Sequence, residues 1–434
     1  MLSLRPHLIL VSLVITALAR PDDTRAADVH EIVIKGGRVL DPRNRIDGTF
    51  DVAIAGGKIA RISPDIPVAG VPTVVRAAGM VVVPGLVDIH AHVFHGPDLN
   101  SEYSNGPRAV PPDGFTFRAG VTTVVDAGGS GWRNFAVFKR QVIDIARTRV
   151  LAFLNIVGGG MAEGPVEQNL ADMDARLCAL RASENKDTIV GIKTAHFRGP
   201  EWIAVDRAVE AGNMAKLPVM VDFGEFVPER PFRDLVGKHL RPGDIYTHLY
   251  LGVVPLLDGK GRVNPFMFDA RKRGVIFDVG HGGGSFVFRQ AVPAMKQGFR
   301  PDTLSTDLHI VSMNGGMKDL SNVMSKFMAM GMALEEVVAR ATAEPARVIK
   351  RPELGQIGVG SAADVAVFSV RKGKFGFVDV DGGRLDGDQK LECELTVRAG
   401  KVVWDLNGIS GPPWQELKPK VEALEPWPPK PAAR

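Results

Sequence analysis

The chain has little cysteine. Its 434 residues include two, Cys178 and Cys393. That leaves room for one disulfide at most, and no cysteine-based metal motif is present. Cys178 lies in a helical pattern and Cys393 in a late strand pattern, and nothing in their spacing supports pairing. An excess of one charge sign is also lacking. Lys and Arg number 53 against 49 Asp and Glu, a net charge of +4. No dense Lys/Arg run interleaved with aromatics occurs, so nucleic acid is not an expected partner. No G-x-G-x-x-G follows an early strand, which argues against a dinucleotide site. Beyond the first residues, no segment is long and apolar enough to cross a bilayer, which takes about 20 residues.

The start of the chain differs from the rest. MLSLRPHLILVSLVITALA has a basic residue at Arg5, an apolar run from Leu8 to Ala19 and small residues at Ala17, Ala19, Ala26 and Ala27. This pattern predicts a secretory signal peptide over residues 1–27, with export to a bacterial periplasm. An uncleaved N-terminal anchor is the alternative.

Two textures follow. Residues 28–84 read as short strands broken by Gly-Gly turns (HEIVIKGGRVLD, FDVAIAGGKIARIS, TVVRAAGMVVV), and residues 351–408 return to that texture (ADVAVFSV, CELTVRAGKVVWD). They predict one small β-sandwich domain built from both ends of the chain. Residues 409–434 read as a Pro-rich tail, with Trp414 and Trp427 as candidate anchors. Between the strand-rich ends, over residues 85–350, eight apolar strand-like runs alternate with helical stretches. Continuous apolar strands followed by helices mean a parallel sheet covered on both faces. Eight such units fit an α/β fold of the (β/α)8 TIM-barrel type, which takes about 250 residues. An open, doubly wound sheet is the alternative.

The stretch VVVPGLVDIHAHVF carries the first chemical signal. Strand alternation would put Asp88, His90 and His92 on one face. Two imidazoles that close can grip one metal ion. In a barrel the strand C-termini converge on the active site. The polar residues expected there are Asp88, His90, His92, Asp126, Asn155, Lys193, Asp222, His248, His281, Asp307 and His309. Imidazoles and carboxylates around an open cavity suit a divalent transition metal, most plausibly zinc.

These residues resemble those of the amidohydrolase superfamily. PGLVDIHAHVF resembles its first-strand signature, VGIKTA its fourth-strand lysine, YTHLY its sixth-strand histidine and LSTDLH its eighth-strand aspartate. FDVGHGGGSF with STDLH resembles the dihydroorotase-like deacetylase branch, and VGSAADVAVF resembles the accessory β-sandwich. The resemblance implies that His90, His92 and Asp307 hold one metal. His248 and a fifth-strand residue would hold a second, with Lys193 bridging the two as a carbamate. A lysine ammonium has no lone pair for a metal. A neutral, desolvated amine can add carbon dioxide and become an anionic bridge. Asp307 would also move the proton in hydrolysis. His281, in the Gly-rich turn, would orient substrate or stabilise the oxyanion. Asp88 would fix a histidine tautomer. His196, Arg198, His309 and Asn314 are the expected substrate contacts, with Arg198 suited to a carboxylate.

One position departs from the family. PVMVDFGEF carries Asp222 where the resemblance leads one to expect histidine. Asp222 can still ligate, so two Zn2+ ions are expected, with Mn2+ as the alternative ion. The resulting reading is a metal-dependent hydrolase of an amide or ester in a small acylated molecule, with deacetylation favoured. A cyclic amidase of dihydroorotase or hydantoinase type and an inactive metal-binding relative are the alternatives. The sequence leaves homo-oligomer formation open.

Overall fold

A computed structural model describes residues 30–94, 108–161 and 164–417. The expected signal peptide and the end of the tail, with Trp427, lie outside these residues. Trp414 lies within them and is exposed, so it does not anchor the tail.

The first sheet joins the two strand-rich ends. Its early strands are β1 (Ile32–Asp41), β2 (Ile46–Ala55), β3 (Lys58–Ser63), β4 (Thr73–Arg76) and β5 (Val81–Pro84). Its late strands are β13 (Val365–Val378), β14 (Arg384–Arg398) and β15 (Lys401–Asp405). The order is β15-β14-β13-β5-β1-β2-β3, with β4 also paired to β1. The seam is the antiparallel pair of β5 and β13, which sets Val83 opposite Ala366 and Val81 opposite Phe368. Ile34, Val39, Val52, Ile54, Val365 and Leu395 pack together over it.

The second sheet is parallel throughout. It runs β6 (Leu86–Ala91), β7 (Val121–Gly131), β8 (Arg149–Asn155), β9 (Ile189–Ala195), β10 (Val219–Asp222), β11 (Ile245–Tyr246) and β12 (Ile276–Phe277), in chain order. Every residue of β7, β9 and β10 is buried, as expected for strands covered on both faces. The eighth run, DTLSTDLHI, forms no regular strand. It still closes the curve, because Thr303 bridges to Asp278 and Leu308 bridges to Ala91, both in parallel. The fold is therefore a TIM-barrel-like α/β structure. Ser305 and Thr306 accept from the backbone of His281 and Gly282, so the closing segment is held mainly by loop bonds.

Helices cover the outside. Ile203–Ala215 buries Ala204, Val205, Ala208 and Ala211, small residues at helical spacing that let it sit close to the sheet. Ala175–Glu184 starts at Asp174, whose carboxylate accepts from the Arg176 and Leu177 amides. Inside, Val87, Ile89, Val125, Leu151, Phe153, Val190, Met220 and Ile245 meet Ala346, Ile349 and Leu354 in one apolar cluster. The barrel interior is thus packed with side chains, and polar groups collect at the strand C-termini.

Candidate metal centre

The first strand brings its histidines together, but not by unbroken alternation. Pairing of β6 with β7 shifts register between Asp88 and Ala91. Val87 and Ile89 belong to the interior cluster, and the neighbouring His90 also faces other strands' polar groups. The bulge lets consecutive residues turn the same way. Asp88, expected to hold a histidine ring, instead accepts from the backbone amides of His90 and Thr306 and from the Thr306 hydroxyl. Burial, only partly offset by those bonds, pushes its carboxyl up to about 7.

Two sets of lone-pair donors share His90: His90, His92 and Asp307, and His90, Asp222 and His248. All five residues are buried. His92 Nε2 lies 2.8 Å and His90 Nε2 3.6 Å from Asp307 Oδ1. His248 Nε2 lies 3.1 Å from Asp222 Oδ1. The Gly280 carbonyl, which can only accept, lies 2.6 Å from His248 Nδ1, so that nitrogen carries a proton. Burial disfavours a second proton on this ring, but Asp222 outweighs burial and raises His248; a neutral His248 would aim a bare Nε2 at a carboxylate oxygen. Such facing acceptors need a cation or a proton between them, so this donor set fits a divalent metal. Burial and the nearby Lys193 charge hold His90 well below the usual imidazole range, as a metal ligand requires. Burial opposes the charge on Asp307, but His90 and His92 outweigh it and hold its carboxyl below the usual range.

Lys193 contacts the shared His90 and Asp222 and is fully buried. Its Nζ is 2.9 Å from Asp222 Oδ2 and 3.4 Å from His90 Nε2. Two glycines of the GHGGG turn allow this crowding. A Cβ on Gly280 would come within 2.8 Å of His248 Nδ1, and one on Gly282 within 2.5 Å of Asp307 Oδ2; both residues have positive φ. His196, His248 and Asp307 also adopt positive φ without being glycine. Backbone strain of this kind collects at functional sites.

The other expected residues separate into three groups. His196 and His309 join the centre. His196 Nε2 is 4.0 Å from Asp222 Oδ2, and His309 Nε2 is 3.8 Å from Asp307 Oδ2. His196 and Arg198 line a cavity of about 390 Å3 with Glu167 and Glu225, and the Arg198 side chain is exposed beside Glu225. Asn314 lines a different cavity, with Asp88, Arg118 and Lys318, so it is not brought to the ligand cluster. His281 has protein partners on every side. Its ring is buried and stacked on Phe286 at 4.4 Å. Nε2 is 2.7 Å from Lys326 Nζ and Nδ1 is 3.0 Å from the Gly282 carbonyl. Both ring nitrogens thus face protein groups. Asp126 and Asn155 shape loops: Asp126 accepts from the Val93 and Gly129 amides, and Asn155 bonds Gly128 and Val157.

Sequence reasoning missed Glu167. It lies buried in the loop after β8 and accepts from His196 Nδ1 at 3.0 Å. Burial opposes the His196 charge, but Glu167 and Asp222 prevail and raise it to about 9. It also missed Thr247 and Asp278, although YTH and FDV place both at strand ends.

A barrel gathering imidazoles and carboxylates at its strand ends is the build of a metal-dependent hydrolase. The amidohydrolase family model matches residues 280–404. A deacetylase of Agrobacterium fabrum is 33% identical over 333 residues, covering 74% of this chain and 78% of that protein. The crystal structure of an adenine deaminase superposes with a TM-score of 0.78 at 26% identity, over 87% of this chain and 100% of that one. A dihydroorotase crystal structure gives 0.73 at 28%, over 86% and 98%. The chain belongs to the amidohydrolase superfamily. It is a metal-dependent hydrolase.

Proposed function

We propose that the chain is a deacetylase that removes an acyl group from a small molecule by breaking an amide or ester bond. The observation that carries this reading is the pair of buried donor sets that share His90 at the strand ends. The similarity to the Agrobacterium fabrum deacetylase favours acyl removal over the cyclic amide chemistry of the dihydroorotase-type alternative.

His90, His92 and Asp307 would hold one ion. Asp222 and His248, with Lys193 as a carbamate, would hold a second. We favour zinc for both, given the nitrogen and carboxylate donors. Bound there, a divalent metal polarises a substrate carbonyl and makes water more acidic. The protein's own groups handle the protons. Asp307 turns Oδ1 toward His92 and leaves Oδ2 facing Gly282 and His309. Water adds to the carbonyl carbon, and its proton passes to Asp307 Oδ2. The C–N or C–O bond then breaks, and Asp307 returns the proton to the departing nitrogen or oxygen. His196, held by Glu167, and Arg198 line the cavity beside this centre. They supply positive charge for a substrate carboxylate. His281 acts at one remove, by holding the glycine turn against Asp307.

We also read the eight-stranded sheet as an accessory β-sandwich formed from residues 28–84 and 351–408, beside a barrel of residues 85–350. The N-terminal pattern supports an exported protein, which N-terminal sequencing from the native host decides. The test of function is turnover of the metal-loaded chain on N-acyl amino acids, O-acyl hydroxy acids and cyclic imides. Hydrolysis of the acylated compounds is the expected result. Turnover of the cyclic imides alone would replace this reading with the cyclic amidase one.

A further inference from the structure

We infer that Thr247 and Asp278 hold His90 in the one tautomer that a metal ligand needs, and so act as positioning residues for the metal. The inference rests on the reading of His90 as a ligand.

Asp278 follows β12 and is completely buried. Three hydroxyls reach it. Thr303 Oγ1 donates to Oδ1 at 2.5 Å. Ser305 Oγ and Thr247 Oγ1 donate to Oδ2 at 2.6 and 2.8 Å. Ser305 Oγ already accepts from the Gly280 amide at 2.9 Å, which leaves its proton for the carboxylate. Thr247 Oγ1 has one further neighbour, His90 Nδ1, at 2.9 Å. Asp278 itself is 4.0 Å from that nitrogen, beyond a hydrogen bond.

Counting protons gives the direction. Burial raises the Asp278 carboxyl, and the hydroxyls of Ser305, Thr303 and Thr247 oppose that by donating to its ionised form; an ionised carboxylate only accepts, and a hydroxyl has one proton to give. Thr247 gives it to Asp278. Thr247 can then only accept from His90, so Nδ1 of His90 carries the ring proton. His90 Nε2 is left bare, facing Asp307 and Lys193. A ligating histidine is commonly held in this way by a partner on its other nitrogen. Here the carboxylate acts through a threonine. The fit is close: a Cβ on Gly280 would lie 2.3 Å from Thr247 Oγ1.

The geometry also supplies its own control. Thr303 and Thr247 bond the same carboxylate, but only Thr247 touches His90. If the cluster serves packing alone, losing either hydroxyl should have the same effect. If it sets the tautomer, the two should differ.

The experiment uses the full chain as Thr247→Val, Thr247→Ser and Thr303→Val. One readout is zinc affinity by chelator competition. The other is the ring nitrogen shifts of His90 in metal-free, 15N-histidine-labelled protein, assigned by their loss in His90→Asn. Thr247→Val should weaken zinc binding by roughly 10–100-fold, the usual effect of removing such a partner, and its His90 should lose the pure Nδ1–H pattern. Thr247→Ser should behave as wild type. Thr303→Val should lower the unfolding temperature and keep zinc affinity. Wild-type affinity in Thr247→Val, equal losses in Thr247→Val and Thr303→Val, or an Nε2–H ring in wild type would each overturn the inference. If the wild-type chain binds no zinc, the reading of His90 as a ligand fails. The metal-free shifts then still decide the tautomer by themselves.

Discussion

Lys193 Nζ lies 2.9 Å from Asp222 Oδ2, with both side chains shut away from solvent. The pair has two chemical fates. As an ammonium, Lys193 neutralises Asp222 and takes no part in metal binding. As a carbamate, it turns from cation to anion beside a second carboxylate, which only added metal charge can balance. Carboxylation and metal loading should therefore occur together. Protein reconstituted with zinc and 13C-bicarbonate should show a carbamate carbon signal that Lys193→Ala and metal-free protein both lack. A loaded, active wild type without that signal would leave Lys193 as an ion-pair partner.

His90→Ala and His92→Ala should each reduce bound metal and nearly abolish hydrolysis. His90 should be the more damaging, because it belongs to both donor sets. Elemental analysis beside a turnover assay checks this, and full metal content in His90→Ala would remove it from the site.

Asp307→Asn keeps an oxygen near His92 but cannot take up a proton. Turnover should fall by roughly 10²–10⁴-fold, the range typical of a general base, while metal is partly retained. Near-normal turnover would move proton transfer to another group, and His196 with Glu167 would be the first to test.

Asp222 contributes Oδ1 toward His248 and Oδ2 toward Lys193. Asp222→Ala should lose about one of two equivalents of metal, because it removes a carboxylate donor from the second set alone. Asp222→His should keep both. If wild type holds one ion and Asp222→Ala leaves that count and the rate unchanged, the site is mononuclear.

Lys326 makes the stability of the fold depend on pH. Burial lowers its amine to about 7, against about 10.4 in an unfolded chain. Between those values the unfolded state binds the extra proton, so stability from this group rises with pH. Below about pH 7 both states are protonated and the cost is constant. The unfolding free energy of wild type minus that of Lys326→Met should therefore increase from pH 7 to pH 10. A difference that stays flat over that range would mean Lys326 remains charged at its contacts with His281 and Gly316.

The sequence by itself determined which residue types stand at the strand ends. Apolar runs ending in His90, Lys193, Asp222, His248 and Asp307 are local features, and burial on both sheet faces demands such runs. Local patterns also marked the two strand-rich ends that share the first sheet. Only the tertiary structure decided which residues behind the ligands matter. Thr247 and Asp278 follow strands other than the one that carries His90, and Glu167 meets His196 across two loops. Contacts of that kind depend on sheet register and on barrel closure, which no single segment encodes. The same holds for His281. Its place in a glycine turn suggested a role toward substrate, but the buried amine of Lys326, 45 residues along the chain, lies against its ring nitrogen. The bulge in β6 is a further case. A period-2 pattern predicts faces only while pairing is regular, and the register shift after Asp88 separated that residue from the histidines it was expected to support.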